Sequence, residues 1–202
     1  MRTRVKFCGM TRADDAARAA ALGVDAIGIV FVPGSKRAVS IERAFEICRA
    51  VSPLVATVGL FADPEREHVE RVLDRVPLNW LQFHGREKPA FCASFDRPWI
   101  KALPMGSPEA VQYAEWRNAA ALLLDGHAAG AMGGSGNRFN WDAVPLPERP
   151  WVLAGGLDAD NVAEAVARLR PSAVDVSSGI ERVPGVKSDT LMRRFMENLA
   201  HG

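Results

Sequence analysis

The sequence has few cysteines, little net charge and no long apolar run, and each shortage excludes a class of protein. Its three cysteines are an odd number without metal-ligand spacing, which argues against a disulfide framework and favours reduced thiols. A net charge of +1 gives no indication of the basic surface that nucleic-acid binding requires. No segment approaches the ~20 apolar residues that span a membrane, and the N-terminus lacks a secretory signal. We therefore expect a cytoplasmic protein that binds neither membranes nor nucleic acids.

What the chain does have is a regular alternation of short apolar segments and helical segments. The apolar segments are rich in Val, Ile and Leu, which is typical of parallel strands covered on both faces. Ser40 is predicted to cap the second helix, and Asp63 with Pro64 to begin the third. The predicted strands are Arg4–Phe7, Ala26–Phe31, Leu54–Leu60, Trp80–Phe83, Trp99–Ala102, Ala121–Leu124, Trp151–Ala154 and Ala173–Val176.

Eight strand–helix units in 202 residues predict an α/β fold, a single (β/α)8 TIM barrel. An open, doubly wound sheet is the alternative. No linker or change in composition divides the chain, so we expect one catalytic domain over residues 1–202. Further helices are predicted at Pro108–Trp116, Trp141–Val144 and Asp189–Leu199.

Two ionisable side chains close predicted strands, where the active site of such a barrel lies. Cys8 ends the first strand and Asp125 the sixth, and a glycine follows each. A thiol and a carboxylate on opposite sides of one pocket can remove and deliver protons. The competing interpretations are a small core residue for Cys8 and a turn carboxylate for Asp125. Cys48 and Cys92 fall within helical patterns, so we expect them in the core.

Lys6 precedes Cys8 by two residues and shares its face of the strand. A lone ammonium inside the barrel is costly, so it needs a partner. Asp175, on the eighth strand, can supply one. We expect a Lys6–Asp175 ion pair beneath the site that favours the thiolate of Cys8.

Small residues follow the last two strands. Gly155 and Gly156 come after the seventh, while Ser178 and Gly179 come after the eighth. In this fold those two loops usually bind phosphate through backbone N–H groups. Tight turns without a ligand are the alternative, but both loops together favour a phosphate site.

Polar side chains at other strand ends are candidates for the remaining contacts. Gln82 and His84 lie around the end of the fourth strand, and Arg37 follows the second. The planar fork of Arg37 suits a substrate carboxylate, although a surface charge is its default interpretation. The glycine-rich segment 133–136 lacks the context of a nucleotide-binding motif, so we interpret it as a lid. His127 lies in the same long loop and has no assigned role.

The ordered set of motifs resembles the phosphoribosylanthranilate isomerase family of tryptophan biosynthesis over nearly the whole chain. Any single piece is weakly specific, whereas the set in this order is highly specific. It consists of Val5–Thr11, Ser35–Arg37, Leu81–Gly85, Leu124–Asp125, Gly133–Gly136, Leu153–Leu157, Val174–Glu181 and Pro184–Lys187. Less typical residues, which bear on loops more than on the reaction, are Gly34, Gly126, His127, Ser135 and Asn140.

The resemblance implies a cofactor-free Amadori rearrangement of N-(5-phosphoribosyl)anthranilate to 1-(2-carboxyphenylamino)-1-deoxyribulose 5-phosphate by general acid/base catalysis. By the same resemblance Cys8 is the general base and Asp125 the general acid, and no metal ligand is needed. The expected partner is this small phosphorylated sugar–anthranilate. Either a monomer or a homodimer is compatible with the sequence.

Two other functions compete with this one. Related sugar-phosphate enzymes on the same fold would need metal ligands, two opposed aspartates or a catalytic lysine at the barrel mouth, and Lys6 looks too deep for that role. A non-catalytic protein that binds a phosphorylated metabolite would need neither Cys8 nor Asp125. Their joint presence favours the isomerase.

Overall fold

The eight predicted strands are present and close into a barrel. The computed structural model describes residues 2–105, 113–126 and 146–200. Neighbouring strands are parallel in the order β1 to β8, and β1 pairs with β8. This closure confirms the TIM barrel and excludes the open sheet. The strands are β1 Arg4–Phe7, β2 Ala26–Val30, β3 Ala56–Phe61, β4 Trp80–Phe83, β5 Trp99–Pro104, β6 Ala121–Asp125, β7 Trp151–Ala154 and β8 Ala173–Val176.

Local signals explain where the helices begin. The Ser40 hydroxyl accepts a 3.2 Å hydrogen bond from the N–H of Arg43, which confirms the predicted cap. Asp63 does not begin the third helix as predicted, because its φ is +46° and its N–H donates to Glu87. The helices are α1 Ala13–Ala21, α2 Ile41–Arg49, α3 Arg66–Leu73, α4 Pro89–Cys92, α5 Val162–Leu169 and α6 Asp189–Leu199.

Other departures from the sequence prediction fall at exposed or irregular segments. The third strand begins at Ala56 rather than Leu54, whose side chain is 94% exposed. The described end of the predicted helix Pro108–Trp116 is a single 3-10 turn at Tyr113–Trp116. The start of that helix, the predicted helix Trp141–Val144, His127 and the glycine-rich segment 133–136 lie outside the described residues.

A short antiparallel hairpin, which the sequence did not predict, follows the barrel. Its strands are β9 Glu181–Val183 and β10 Val186–Lys187. Both are short, and Val183 is half exposed. A segment of this kind has no apolar alternation to reveal it.

Successive residues of β1 serve opposite faces of the sheet. Phe7 points outwards and meets Phe195 of α6 edge to face at 5.8 Å between ring centroids. Lys6 and Cys8 point into the barrel, where Cys8 joins a small apolar cluster with Val30 and Leu60. This alternation delivers the thiol to the mouth of the barrel. Within the described ranges, no helix has the length and apolar character needed to cross a membrane.

Candidate active site

A cavity of about 580 Å³ opens at the C-terminal ends of the strands. Cys8 reaches it just after β1 and Asp125 from the end of β6, with β7 and β8 between them around the ring. The thiol and the carboxylate therefore approach one open space from different strands. The other predicted site residues in its wall are Arg37, His84, Gly155, Gly156 and Ser178.

Two of the predicted substrate-binding residues lie beside the cavity instead of in its wall. Gln82 is fully buried, and its Nε2 lies 3.4 Å from Nε2 of His84. Gly179 passes so close to the loop after β7 that a Cβ at this position would stand 2.0 Å from the carbonyl oxygen of Leu157. Packing between loops is therefore what Gly179 permits, and Gln82 contacts the site through His84.

A buried ion pair supports Cys8 from below, as the sequence predicted. Nζ of Lys6 lies 2.9 Å from Oδ2 of Asp175, and both side chains are almost fully buried. The register of the barrel places these two residues directly opposite each other on β1 and β8. Gly28 leaves the room for this arrangement, since a Cβ there would lie 2.6 Å from Sγ of Cys8.

Burial and the neighbouring charges act in opposite directions on the pKa values of Cys8 and Lys6. Burial raises the pKa of the Cys8 thiol, and the charge of Lys6 opposes that rise without cancelling it. Burial alone would lower the pKa of Lys6, but Asp175 and Cys8 together raise it. Lys6 is therefore charged and does favour the thiolate. Desolvation is the larger effect, however, so the pKa of Cys8 lies above its ordinary value.

Asp125 is buried at the end of β6, with a histidine on one side and a glycine on the other. Oδ2 of Asp125 lies 3.8 Å from Nε2 of His84, which is an electrostatic contact rather than a hydrogen bond. Gly155 has a φ of +87°, and a Cβ there would lie 2.2 Å from N of Gly126 and 2.8 Å from Oδ1 of Asp125. The sequence indicated Gly155 only as part of a phosphate loop, yet it also makes room for Asp125.

The loops after β7 and β8 lie side by side at one end of the cavity. An isolated bridge joins Asp158 to Gly179. The side chain of Asn161 donates to the carbonyl oxygen of Gly156 at 2.9 Å and fixes the first loop. Gly156 and Ser178 face the cavity from the two loops. This is the arrangement expected of a phosphate site that uses backbone N–H groups.

Arg37 is held in the cavity wall rather than exposed on the surface. Its Nε and Nη2 donate to the two carboxylate oxygens of Glu181 at 2.8 and 2.7 Å, a bidentate contact that raises the pKa of Arg37. Nη1 is the guanidinium nitrogen outside this contact. Lys187 is fully buried and donates to Glu181 at 2.9 Å.

Sequence reasoning gave Glu181 and Lys187 no role, although both lie in motifs that carry the family resemblance. No local signal links Glu181 to Arg37, because the two are 144 residues apart. An acidic residue just after the last barrel strand, followed by a lysine, was the available hint. The role of these two residues becomes evident only in the closed barrel, where Glu181 contacts both Arg37 and Lys187.

A second buried ion pair, also missed from sequence, supports the loop that bears His84. Oε2 of Glu87 lies 2.7 Å from Nζ of Lys101 on β5. Oε1 of Glu87 accepts from the N–H groups of Asp63 and Gly85 at 2.9 and 3.1 Å. Glu87 therefore joins the loops after β3 and β4 next to the cavity.

The cavity also has an apolar wall beside the thiol. Val30 and Leu60 cluster with Cys8, and Val32 packs against them. Flat apolar groups of a ligand can be buried there. Among the residues described, no group of three or more His, Cys, Asp or Glu side chains is arranged to hold a metal ion.

Comparison with known proteins gives a consistent result over the whole chain. Residues 5–198 match the family model described as N-(5'phosphoribosyl)anthranilate (PRA) isomerase. The N-(5'-phosphoribosyl)anthranilate isomerase of Stutzerimonas stutzeri is 49% identical over 199 residues, with 97% of this chain and 96% of that protein covered.

Solved structures agree with the sequence match. Phosphoribosyl anthranilate isomerase from Thermus thermophilus has a TM-score of 0.87 and 40% identity, with 98% of each chain covered. A phosphoribosyl anthranilate isomerase in complex with reduced 1-(O-carboxyphenylamino)-1-deoxyribulose 5-phosphate has a TM-score of 0.84 and 35% identity, again over 98% of each chain. A further structure, of monomers generated from the dimeric phosphoribosylanthranilate isomerase of Thermotoga maritima, has a TM-score of 0.83 and 34% identity, with 98% of each chain covered.

Proposed function

The chain belongs to the N-(5'-phosphoribosyl)anthranilate isomerase family, and on that premise we propose that Cys8 and Asp125 are the base and acid of its reaction. The activity is an isomerisation in tryptophan biosynthesis, the Amadori rearrangement of N-(5'-phosphoribosyl)anthranilate. The observation that carries the residue assignment is that the thiol and the carboxylate line one cavity from β1 and β6.

The proposed proton transfers balance without an external oxidant or cofactor. Protonated Asp125 gives its proton to the ribose ring oxygen as the bond from C1 to that oxygen breaks, and the nitrogen lone pair forms an iminium ion. The iminium acidifies the neighbouring C2 hydrogen, which the thiolate of Cys8 removes. C1 of the resulting enolamine then takes up a proton while its C2 hydroxyl releases one, which gives the ketone product. Return of the proton from the Cys8 thiol to the Asp125 carboxylate through solvent restores both groups. Each positioned group contributes roughly 10²–10⁴-fold.

The rest of the cavity matches the other parts of the substrate. The loops containing Gly156 and Ser178 offer backbone N–H groups to the phosphate. Nη1 of Arg37 is available to the anthranilate carboxylate, and Val30 with Leu60 can cover the aromatic ring. The bound analogue in the related structure has the same three chemical parts. Holding both ends supplies the orientation that the proton transfers require.

Site-directed variants with a fluorescence assay for loss of phosphoribosylanthranilate test the assignment. Cys8→Ser and Asp125→Asn should each lose at least ~10²-fold in turnover while remaining folded. Cys48→Ala is the matched control, because Cys48 is also a buried thiol but lies on the buried face of α2 and does not line the cavity. Near-parental turnover in both active-site variants would remove the assigned roles.

Inorganic phosphate tests the loops after β7 and β8. We expect it to inhibit competitively with substrate, because the N–H groups of these loops would hold the free anion in the same place. Full activity at saturating phosphate and low substrate concentration would contradict the site.

The assembly and setting of the enzyme follow as further proposals. We propose one catalytic domain spanning the chain, working in the cytoplasm, as a monomer or a homodimer. Light scattering of the purified protein at catalytic concentration decides between the two assemblies.

A further inference from the structure

The hairpin after β8 contains two buried charges that the proposed proton transfers do not use. The side chain of Glu181 is 4% exposed and that of Lys187 is not exposed at all. Charged groups are rarely buried to this extent unless they are paired. Their contacts therefore show what they serve.

Glu181 and Lys187 link Arg37 to the loop after β8. Both oxygens of Glu181 accept from Arg37, at 2.8 and 2.7 Å, which fixes the plane and direction of the guanidinium. Nζ of Lys187 donates to Glu181 at 2.9 Å and to the carbonyl oxygen of Ser177 at 3.0 Å. A continuous series of short polar contacts thus runs from the proposed carboxylate-binding residue to the proposed phosphate loop.

The hairpin itself is hydrogen-bonded to the start of the chain, independently of either binding loop. The backbone N–H of Lys187 donates to Oδ2 of Asp15 in α1 at 3.1 Å. The hydroxyl of Thr11 donates to the carbonyl oxygen of Gly185. Both contacts bridge more than 170 residues and tie β9 and β10 to the N-terminal part of the chain.

The charges of this group also suit an anionic ligand. Two cations, Arg37 and Lys187, share a single carboxylate, that of Glu181. Burial would raise the pKa of Glu181, but its bond to Arg37 and the charge of Lys187 hold it below its ordinary range. Burial lowers the pKa of Lys187, although the charge of Glu181 opposes this, whereas the bond to Glu181 raises the pKa of Arg37. The group therefore places two basic side chains between the two ends where the phosphate and the carboxylate of the substrate would bind.

We propose that Glu181 and Lys187 are positioning residues that set the separation between the carboxylate-binding and phosphate-binding ends of the cavity. Glu181 acts through Arg37, whereas Lys187 acts on both ends because it contacts Glu181 and Ser177. The proposal rests on the function proposed above, in particular on Arg37 and the β8 loop as the two binding ends. It adds that the two ends are mechanically joined.

Two binding probes separate the roles of the two residues. The probes are reduced 1-(2-carboxyphenylamino)-1-deoxyribulose 5-phosphate, which engages both ends, and inorganic phosphate, which engages one. Glu181→Gln should weaken binding of the analogue at least about tenfold, which is the lower range for loss of a hydrogen bond to a charged group. The inhibition constant of phosphate should stay within about twofold of the parent value. Lys187→Met should weaken both probes by about tenfold or more.

A double-mutant cycle tests whether Glu181 works through Arg37. In an Arg37→Met background, Glu181→Gln should cause little further loss of analogue affinity, since the group that it orients is gone. Glu70→Gln is the matched control, because Glu70 pairs with Arg66 in an exposed contact at 3.3 Å, away from the cavity. That variant should bind both probes like the parent.

The outcomes distinguish this inference from the function it rests on. If the parent protein binds neither probe, the proposed binding ends are wrong. If the parent binds both and the two variants match it, the positioning role is wrong. Equal weakening of both probes by Glu181→Gln, or additive losses in the cycle, would also overturn it. Lys187→Met leaves the Arg37–Glu181 pair in place, so the test survives if Glu181→Gln does not fold.

Discussion

Replacing Gly155 by alanine should disable Asp125 without changing any ionisable group. The new Cβ would lie 2.2 Å from N of Gly126, 2.7 Å from its Cα and 2.8 Å from Oδ1 of Asp125. Each of these distances is below 3.0 Å, a limit that real Cβ contacts essentially never cross. The nearest neighbour is backbone, which cannot rotate away as a flexible side chain would. The end of β6 or the loop after β7 must therefore move.

The size of the effect follows from that overlap. Restoring an ordinary contact requires a displacement of about 1 Å, and a misplacement of this size can lower the rate about 10²-fold. The φ of +87° adds a backbone cost of roughly 1–2 kcal/mol for any residue with a Cβ. We therefore expect about 10²-fold lower turnover together with a modest loss of stability.

Gly23 provides a matched control for the backbone cost. Its φ is +85°, but nothing lies within 4 Å of where its Cβ would be. Gly23→Ala should therefore lose roughly 1–2 kcal/mol of stability and keep parental turnover. Turnover is measured by the fluorescence assay and the free energy of unfolding by urea titration.

Comparison of the two alanine variants isolates the steric effect on the site. Turnover of Gly155→Ala within about threefold of the parent, well short of a loss of ~10²-fold, would refute the claim that this glycine makes room for Asp125. Equal turnover losses in both variants would refute it as well, because the cause would then be backbone strain alone.

Two further predictions concern charges that support the barrel. Lys6→Met leaves Asp175 buried without its cation and should lower the free energy of unfolding, measured by urea titration, by about 3–5 kcal/mol. Arg194→Met removes a partner from an exposed pair and should lower it by at most ~1 kcal/mol. Equal losses in the two variants would contradict the buried-pair argument. Burial would raise the pKa of Asp25, but hydrogen bonds led by that from Arg4 hold it below its ordinary value. The stability that Asp25 contributes is therefore present above the unfolded pKa of about 4 and is lost as the pH falls through the lower folded pKa. Asp25→Asn should accordingly lower the free energy of unfolding at pH 7, and the variant should lose less of it than the parent on acidification.

The sequence predicted those parts of the molecule that depend on a repeated local pattern. Strand ends are marked by composition, and barrel closure brings all of them to one face. Cys8, Asp125, Gly155, Gly156 and Ser178 are therefore predictable from sequence as neighbours around one cavity, whereas Gly179 lies beside it. The Lys6–Asp175 pair was also predictable, because strand alternation decides which residues face the interior.

The remaining features depend on contacts between distant residues. Glu181 meets Arg37 only after the barrel has closed, and Gly155 approaches Gly126 only because β7 lies beside β6. Leu54 was assigned to a strand because it is apolar, yet hydrophobic residues are often exposed in loops. Asp63 failed as a cap because a tertiary bond to Glu87 determines its backbone conformation.

Three groups of buried lysine or arginine with carboxylate, among the residues that the structure describes near the cavity, differ in what they can contribute to binding. Lys6–Asp175 and Lys101–Glu87 are one-to-one pairs, so they fix positions but leave little net charge. Of these groups in the described part of the chain, that of Arg37, Glu181 and Lys187 alone combines two basic side chains with one carboxylate. A ligand that carries both a phosphate and a carboxylate would be attracted by the charge of that group. The other two pairs would only keep the cavity in the shape that fits the ligand. Added salt should therefore weaken substrate binding mainly by screening the charged group on the hairpin side of the cavity. The proton transfers should depend instead on the geometry that the one-to-one pairs maintain.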